Sequence, residues 1–267
     1  MLSPLVVVSA AMAVPSGYYR PLVEAFAAQG WSARTVPTTG FERDAPTASW
    51  RHDWSYASEA SRIGDAVVQA RAEEPGRPVV LLGHSLGGQL GALVQGGDEP
   101  ADALVTVGAG IPHFRVHPYG GLPVLAMGLL VPLVTRVVGH VPPPLFGAPG
   151  ARTLMREWAG FIRSGRPPFD VPAPLRTPSL LVALEGDQLA PERSIDAYAD
   201  LFLDPALTTR WTYRQADAPP GGSTDHVAWV RRPELVVSRV VRWWDDEATP
   251  QAKASIGGHE QARFRSP

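Results

Sequence analysis

The chain has 267 residues, of which 45% are hydrophobic and 19% are charged, a balance typical of folded globular domains and not of disordered chains. It holds 24 Lys and Arg against 26 Asp and Glu, without a run of five basic residues, so the charge indicates neither nucleic acid nor an anionic membrane surface as a partner. Cysteine is absent, which excludes disulfides, thiol nucleophiles and cysteine-based metal sites and is consistent with a cytoplasmic protein.

The first predicted element is a buried strand at Leu5–Ser9, inside an apolar N-terminal stretch. The same stretch contains Ala-Met-Ala, which resembles the cleavage site of a signal peptide. Signal peptides normally begin with positive charge, whereas the first arginine here is Arg20. We therefore expect a strand and not a secretion signal, and a cytoplasmic location.

Short apolar runs alternate with helical patterns along the chain, which predicts a mostly parallel central sheet covered by helices on both faces, an α/β fold. The predicted strands are Leu5–Ser9, Ser32–Val36, Val79–Gly83, Ala103–Gly108, Ser179–Leu184 and Thr209–Gln215. The predicted helices are Tyr18–Gln29, Ser55–Glu73, Leu86–Gly96, Pro191–Phe202 and Val227–Asp246. Several strands are continuously apolar, such as "PVVLLG" and "SLLVAL", as expected when both faces of a parallel sheet are covered.

The alternation stops between residues 111 and 178, where prolines are frequent and short helices are predicted at 122–138 and 152–164. We expect this segment to be an inserted cap that lies over a core formed by residues 1–110 and 179–247. Residues 248–267 are polar, and we expect them to form a flexible tail.

The most apolar part of the insertion begins at Gly121. Pro123, Pro132 and Arg136 interrupt it, so it falls short of the ~20 uninterrupted residues of a membrane span. The sequence therefore predicts no stable insertion into a membrane.

The sequence "GHSLGG" at 83–88 places Ser85 between a predicted buried strand and a predicted helix. A serine forced to positive φ at such a junction projects its hydroxyl above the sheet, and Gly83 and Gly87 leave room for the turn. The helix N-terminus adds unpaired N–H groups where an oxyanion would form. This context favours a nucleophile over a serine that simply caps the helix.

A nucleophilic serine requires a base and an acid that orients the base. His226 follows the last predicted strand, and Asp187 comes just after another buried strand, so both are expected at the carboxyl edge of the sheet. The chain order of serine, acid and histidine is the order of one fold in particular. Glu185, Asp217 and Asp225 remain alternatives for the acid. The weaker candidates for the base are the other histidines, His84, His113, His117, His140 and His259.

Two backbone N–H groups are needed to bind the oxyanion. The first is expected from Leu86, which directly follows the serine. The second is expected from the loop after the first strand, where Met12 follows the small residues Ala10 and Ala11. Met12 is also compatible with an ordinary core position.

The chain resembles the α/β-hydrolase superfamily in "GHSLGG", in "LEGDQLAP" at 184–191, in "DHVAW" at 225–229 and in "VPSGYYRPLVEAFAAQGW" at 14–31. "DWSY" at 53–56 and "GYYRPL" at 17–22 are most similar to the bacterial serine-aminopeptidase-like or lysophospholipase-like group. This resemblance implies a central parallel sheet, a Ser-His-Asp triad, an oxyanion hole, a cap over an acyl pocket and no cofactor. The chain departs from the family at Ala10-Ala11, where a His-Gly pair is usual, and in the loop "TTGFERDAPTASW".

The residues predict an esterase-like serine hydrolase that needs no metal and forms an acyl-serine intermediate on a small, largely apolar carboxylic ester, thioester or lactone. Met127, Trp158 and Phe161 in the insertion are the candidate substrate contacts, although such residues also serve to bury a cap against its body. A non-hydrolytic enzyme of the same fold, such as an acyltransferase, cyclase or lyase, would use the same triad. The third alternative is a binding protein that kept the fold without the catalytic activity. The sequence does not predict the oligomeric state.

Overall fold

The structure is a computed structural model that describes residues 2–143, 149–170 and 174–248. The predicted tail at 248–267 lies outside these described residues except for its first position, as does His259.

A six-stranded parallel sheet forms the centre of the described chain, in the order β2-β1-β3-β4-β7-β8. Its strands are β1 (Leu5–Ser9), β2 (Ser32–Thr35), β3 (Val79–His84), β4 (Ala103–Val107), β7 (Ser179–Leu184) and β8 (Thr208–Tyr213). Strands β1, β3 and β4 are buried along their whole length, which explains why their sequences are continuously apolar. The prediction of a parallel sheet is confirmed.

Seven α-helices in the described residues surround this sheet. They are α1 (Arg20–Ala28), α2 (Tyr56–Glu73), α3 (Leu86–Gln95), α4 (Leu122–Val138), α5 (Arg152–Ser164), α6 (Glu192–Phe202) and α7 (Glu234–Trp243). The predicted helix from Val227 was wrong over its first part, where the structure has a loop and a short 3-10 turn at Ala228–Arg231. Pro233 directly precedes α7 and disfavours helical backbone angles at Arg232, so the helix begins only after the proline.

Two hydrophobic clusters lie on opposite faces of the sheet. One contains side chains of α1 and α7, including Phe26 and Val240, together with Trp229. The other contains side chains of α2, α3 and α6, and also Val131 and Phe161 from the insertion. The insertion therefore shares a core with the body instead of building one of its own.

The described residues of the 111–178 segment contribute α4, α5 and a small antiparallel pair, β5 (His140–Val141) with β6 (Gly150–Ala151). None of these elements joins the central sheet. Helix α4 crosses α5 closely, since a Cβ atom at Gly128 would lie 2.6 Å from the Ile162 side chain.

Helix α4 has the bounds that the sequence predicts, Leu122–Val138, and it continues through Pro132. Pro132 has no N–H, which leaves the carbonyl of Gly128 without its helical donor, and the Arg163 guanidinium donates to that carbonyl instead. The helical stretch Tyr119–Val138 has 20 residues and is long and apolar enough to cross a membrane by length and composition alone. Buried helices of soluble proteins pass the same test.

The "DWSY" segment ties the insertion to the body. The Asp53 carboxylate accepts hydrogen bonds from the N–H of Thr153 at 2.9 Å and from its hydroxyl at 2.6 Å. It also pairs with Arg152 at 3.1 Å, and the N–H of Leu154 donates to the Trp54 carbonyl at 2.9 Å. The first turn of α5 is therefore bound to the loop before α2.

Candidate active site

A sharp turn joins β3 to α3 and carries Ser85. The backbone of Ser85 has a φ of 53° and a ψ of −116°, a region that residues other than glycine rarely adopt. The turn fits only because its neighbours lack side chains. A Cβ at Gly83 would lie 2.4 Å from the carbonyl oxygen of Gly87, and one at Gly87 would lie 2.2 Å from that of Ser9.

Three side chains that are far apart in the sequence meet above the sheet. The Ser85 Oγ lies 2.9 Å from Nε2 of His226, and Nδ1 of the same ring lies 2.6 Å from Oδ2 of Asp187. The side chains of His226 and Asp187 are 9% and 1% exposed, so this chain of hydrogen bonds is shielded from water. A hydroxyl, an imidazole and a carboxylate so arranged can pass a proton from serine to histidine.

Asp187 is oriented by its own loop. Its Oδ1 accepts the N–H groups of Leu189 and Ala190 at 2.8 and 3.0 Å, which leaves Oδ2 for the histidine. The alternative acids point elsewhere: Glu185 accepts from the backbone of Gln215, and Asp225 accepts from the two backbone N–H groups that follow His226.

Two backbone N–H groups beside Ser85 have no acceptor among the described residues, those of Met12 and Leu86. Leu86 is the first residue of α3, where helical N–H groups lack partners. Met12 lies in a turn closed by the Val14 N–H and the Ala11 carbonyl at 3.2 Å, with Ala13 at a φ of 62°. One cavity is lined by all three of these residues, Met12, Ser85 and Leu86.

Behind Ser85, a buried set of hydrogen bonds links the loop after β1 to the backbone of His226. The Ala11 N–H donates to the Tyr19 hydroxyl at 2.8 Å, and that hydroxyl lies 2.7 Å from Nδ1 of His84. Nε2 of His84 lies 2.7 Å from the carbonyl oxygen of His226. A carbonyl only accepts, so Nε2 carries the proton and Nδ1 accepts from the tyrosine.

His84 remains neutral in this environment. Its side chain is fully buried, and burial together with the neighbouring His226 lowers its pKa from 6.5 to about 3. The indole N–H of Trp229 approaches Nε2 at 3.3 Å, but this nitrogen already carries a proton, so the contact adds little. His84 therefore acts in the structure as a neutral bridge.

A cavity of about 220 Å³ lies against Ser85 and His226. Most of its wall is apolar, including Ile111, Pro112, Val124, Met127, Trp158 and Leu189. Two polar side chains in the wall, Gln89 and Ser194, already donate to backbone carbonyls of the loop after β4. The cavity thus places an apolar chamber next to the hydroxyl.

The sequence model of the serine aminopeptidase S33 family matches residues 3–201, about three quarters of the chain. The chain belongs to this family of α/β hydrolases. No protein of curated function matches the sequence.

Solved structures similar to this S33-family hydrolase are α/β hydrolases as well. A monoacylglycerol lipase from Paleococcus ferrophilus is 16% identical with a TM-score of 0.60, over 90% of this chain and 95% of that one. The pyrethroid hydrolase PytH is 18% identical with a TM-score of 0.58, over 93% and 99%. The type II thioesterase BorB from the borrelidin biosynthetic cluster is 15% identical with a TM-score of 0.54, over 90% and 92%. At identities this low, the similarity is evidence for a shared fold and not for a shared substrate.

Of the three candidate substrate contacts in this S33-family hydrolase, the structure brings Met127 and Trp158 to the cavity but not Phe161. Phe161 is 1% exposed and belongs to the hydrophobic cluster under the insertion. On an α-helix, positions three apart are offset by about 60°, and here that offset turns one ring to the cavity and the other to the core.

The structure also adds residues that sequence reasoning did not assign to the site. Tyr19 and Gln89 were not singled out, because a buried tyrosine or glutamine on a helix carries no local signal of its partners. His117 was considered only as a rival base. It lines the cavity, and its Nε2 is buried without a partner among the described residues.

Burial lowers the pKa of His117, while a hydrogen bond to the backbone of Gln188 acts in the opposite direction. No group of three metal-ligating side chains occurs among the described residues of this S33-family hydrolase.

Proposed function

We propose that this S33-family hydrolase cleaves a carboxylic ester, or the related thioester or lactone, of a small and largely apolar acyl group. The observation that carries the proposal is the continuous hydrogen-bond chain from Ser85 through His226 to Asp187. Such a chain activates a hydroxyl as a nucleophile and returns its proton to a leaving group.

In the first half of the proposed reaction, Nε2 of His226 takes the proton from Ser85 as Oγ attacks the carbonyl carbon. The carbonyl oxygen becomes negative and accepts hydrogen bonds from the N–H groups of Met12 and Leu86. When the tetrahedral intermediate collapses, the protonated histidine gives its proton to the departing alcohol or thiol. An acyl-serine remains.

In the second half, His226 removes a proton from water, whose oxygen attacks the acyl carbon. Collapse of this intermediate returns the proton to Ser85 and releases the acid. The Asp187 carboxylate holds the proton of the imidazole on Nδ1 and stabilises the imidazolium. The burial of both partners strengthens that interaction because water does not screen it.

The cavity supports an apolar acyl group. Peptide substrates with a free amino terminus would need a carboxylate to pair with the ammonium group, and the described cavity wall contains neither Asp nor Glu. The similar structures named above are, by name, a monoacylglycerol lipase, a pyrethroid hydrolase and a type II thioesterase, and none is named as a peptidase. An ester is therefore a better fit than a peptide.

We further propose that residues 111–178 form a cap over a core of residues 1–110 and 179–247. Val124 and Met127 of α4 and Trp158 of α5 lie in the cavity wall, which supports a role for the insertion in selecting the acyl group. Its attachment through Asp53 to the body supports a fixed rather than a freely swinging cap. The expected cytoplasmic location remains a prediction.

The test is a series of p-nitrophenyl esters of increasing acyl length with the purified full chain. We expect turnover that prefers short to medium acyl chains and falls by several orders of magnitude in Ser85→Ala, on the pattern of triad knockouts. Ser61→Ala, at an exposed position of α2, is the matched control. A fluorophosphonate probe should label Ser85 alone. Unchanged turnover in Ser85→Ala would refute the covalent mechanism.

A further inference from the structure

Helix α4 exposes a continuous apolar surface to solvent. Leu122, Leu129, Leu130, Leu133 and Val137 are 54–79% exposed, and Ala126 is exposed between them. With about 100° of rotation per residue, these six positions fall within an arc of about 100°, on one side of the helix. We refer to this surface, residues 122, 126, 129, 130, 133 and 137, as the α4 apolar face.

The other side of α4 is held by the protein. Gly128, Val131 and Thr135 are buried, and the close approach to Ile162 of α5 leaves no room for another side chain at Gly128. Only 22% of the most apolar 18 residues of this helical stretch is buried. A core helix of a soluble protein with the same composition would be mostly buried. The helix is thus anchored along one side and left apolar on the other.

The segment that contains this helix is positively charged, although the whole chain is nearly neutral. Residues 111–178 contain seven arginines, no lysine and two acidic residues, a formal charge of +5 within a chain of net charge −2. Overall composition hides this segregation, which is why the charge balance gave no indication of an anionic surface as a partner.

Three of these arginines mark the start, the middle and the end of α4. Arg115 neighbours Phe114, whose carbonyl is packed against the residue that precedes α4. Arg163 donates to the Gly128 carbonyl, and Arg136 lies exposed in the last turn of the helix. No carboxylate of the described residues forms an ion pair with any of these three arginines.

An exposed aromatic residue lies at the C-terminal end of α4. The indole of Trp50 is 56% exposed and covers Gly139, where a Cβ would lie 2.5 Å from the ring. The Arg152 guanidinium stacks on that indole, 5.3 Å from its centre. Tryptophan is enriched at the boundary between lipid headgroups and acyl chains, and arginine beside it can reach lipid phosphates.

We propose that the α4 apolar face binds peripherally to an anionic lipid surface, with α4 lying in the plane of the interface. Its leucines would enter the region between headgroups and acyl chains, and the exposed Arg115 and Arg136 would contact lipid phosphates. The helix does not cross the membrane, because α5 holds its opposite side. This mode of binding does not require the stable insertion that the sequence argues against.

A second copy of the chain is the competing occupant of the same surface. A two-fold contact through the α4 apolar face would bring the unpaired arginines of the two copies together, where like charges repel. An anionic surface neutralises the same arginines. The charge around the helix therefore favours lipid.

The test is vesicle co-sedimentation with the full chain carrying Ser85→Ala, so that the result does not depend on the proposed hydrolase activity. Vesicles of phosphatidylcholine alone are compared with vesicles that also contain phosphatidylserine. We expect binding to the anionic vesicles, a roughly tenfold or larger loss of partitioning in Leu129→Gln/Leu133→Gln, and unchanged partitioning in Leu2→Gln/Val68→Gln, which alters exposed apolar residues elsewhere. Arg115→Gln/Arg136→Gln should weaken binding to anionic vesicles alone by about tenfold.

The proposal is overturned if the parent chain sediments with neither type of vesicle, or if the Leu129→Gln/Leu133→Gln variant binds as the parent does. It is also overturned if sedimentation equilibrium without lipid shows a dimer that this variant abolishes, because the occupant is then a second copy. Circular dichroism and thermal melting of each variant show that the fold is retained. The variants alter positions outside the cavity, so their turnover of soluble p-nitrophenyl acetate, measured with Ser85 intact, should match that of the parent.

Discussion

The hydroxyl of Tyr19 lies 2.7 Å from Nδ1 of His84 and also accepts the N–H of Ala11. One buried phenol thus joins the loop that presents the Met12 N–H to His84, the last residue of the strand before Ser85. Through the other nitrogen of His84, the same network reaches the backbone carbonyl of His226. The proposed oxyanion donor, nucleophile and base are therefore held by neighbours that bond to one another.

Replacing Tyr19 by phenylalanine should destabilise the fold and slow turnover. The substitution leaves a buried N–H on Ala11 and a buried acceptor on His84 without a partner, which costs about 1–3 kcal/mol for each unsatisfied group. We expect a lower free energy of unfolding in urea and a lower kcat, because the Met12 loop loses its anchor. Tyr119→Phe is the control, since Tyr119 is 85% exposed. Equal stability and equal kcat for the two variants would contradict this role for Tyr19.

The buried neutral His84 should make the fold sensitive to acid. Its pKa is about 3 in the folded chain against an ordinary 6.5, so between these values the unfolded chain binds a proton that the folded chain does not. The free energy of unfolding should fall by up to about 1.4 kcal/mol per pH unit as the pH drops through this window, and it should be unaffected by His84 above the window. Urea titrations at several pH values measure the slope. His84→Gln should flatten it, and an unchanged slope would show that other groups are responsible.

Much of the site was predictable because its signals are local or follow the chain order. The glycines around Ser85 and the polar residues just after buried strands mark the carboxyl edge of a parallel sheet without any knowledge of contacts. The partners of Tyr19 and Asp53 were not predictable, because they come from residues 65 and 100 positions away whose approach depends on packing. The same limit applies to Phe161, since an aromatic on an amphipathic cap helix suits both a cavity and a core.

Asp187→Asn should lower kcat about 10³- to 10⁴-fold with little change in KM. An amide at this position donates to Nδ1 or leaves its proton unpaired, so the imidazole loses the tautomer in which Nε2 accepts the serine proton. Steady-state kinetics with a p-nitrophenyl ester measure the effect. Asp225→Asn and Glu185→Gln, at the two nearby alternative acids, should retain most of the activity. A loss in either of these that matches the loss in Asp187→Asn would reassign the orienting acid.

Trp158→Ala and Phe161→Ala should separate substrate selection from stability. Trp158 lines the cavity, so its truncation enlarges the acyl site and should shift the p-nitrophenyl series towards longer chains. Phe161 is buried in the core under the insertion, and its truncation should cost about 3–5 kcal/mol of stability without shifting the chain-length preference. The same chain-length profile for both variants would show that the cavity does not select the acyl group.

Replacing Asp53 by alanine should loosen the insertion while leaving the central sheet intact. Burial acts to raise the pKa of Asp53, but hydrogen bonds from Thr153 and the charge of Arg152 outweigh it, and the pKa lies below its usual value. The carboxylate is therefore ionised and bonded at neutral pH, and its removal frees the backbone N–H and hydroxyl of Thr153 at the start of α5. We expect faster amide hydrogen exchange in α5 with no change in β3 and β4. The control is Asp65→Ala, at an exposed position of α2, which should leave exchange in both regions unchanged. Equal exchange in α5 for the two variants would show that the carboxylate of Asp53 does not hold the insertion in place.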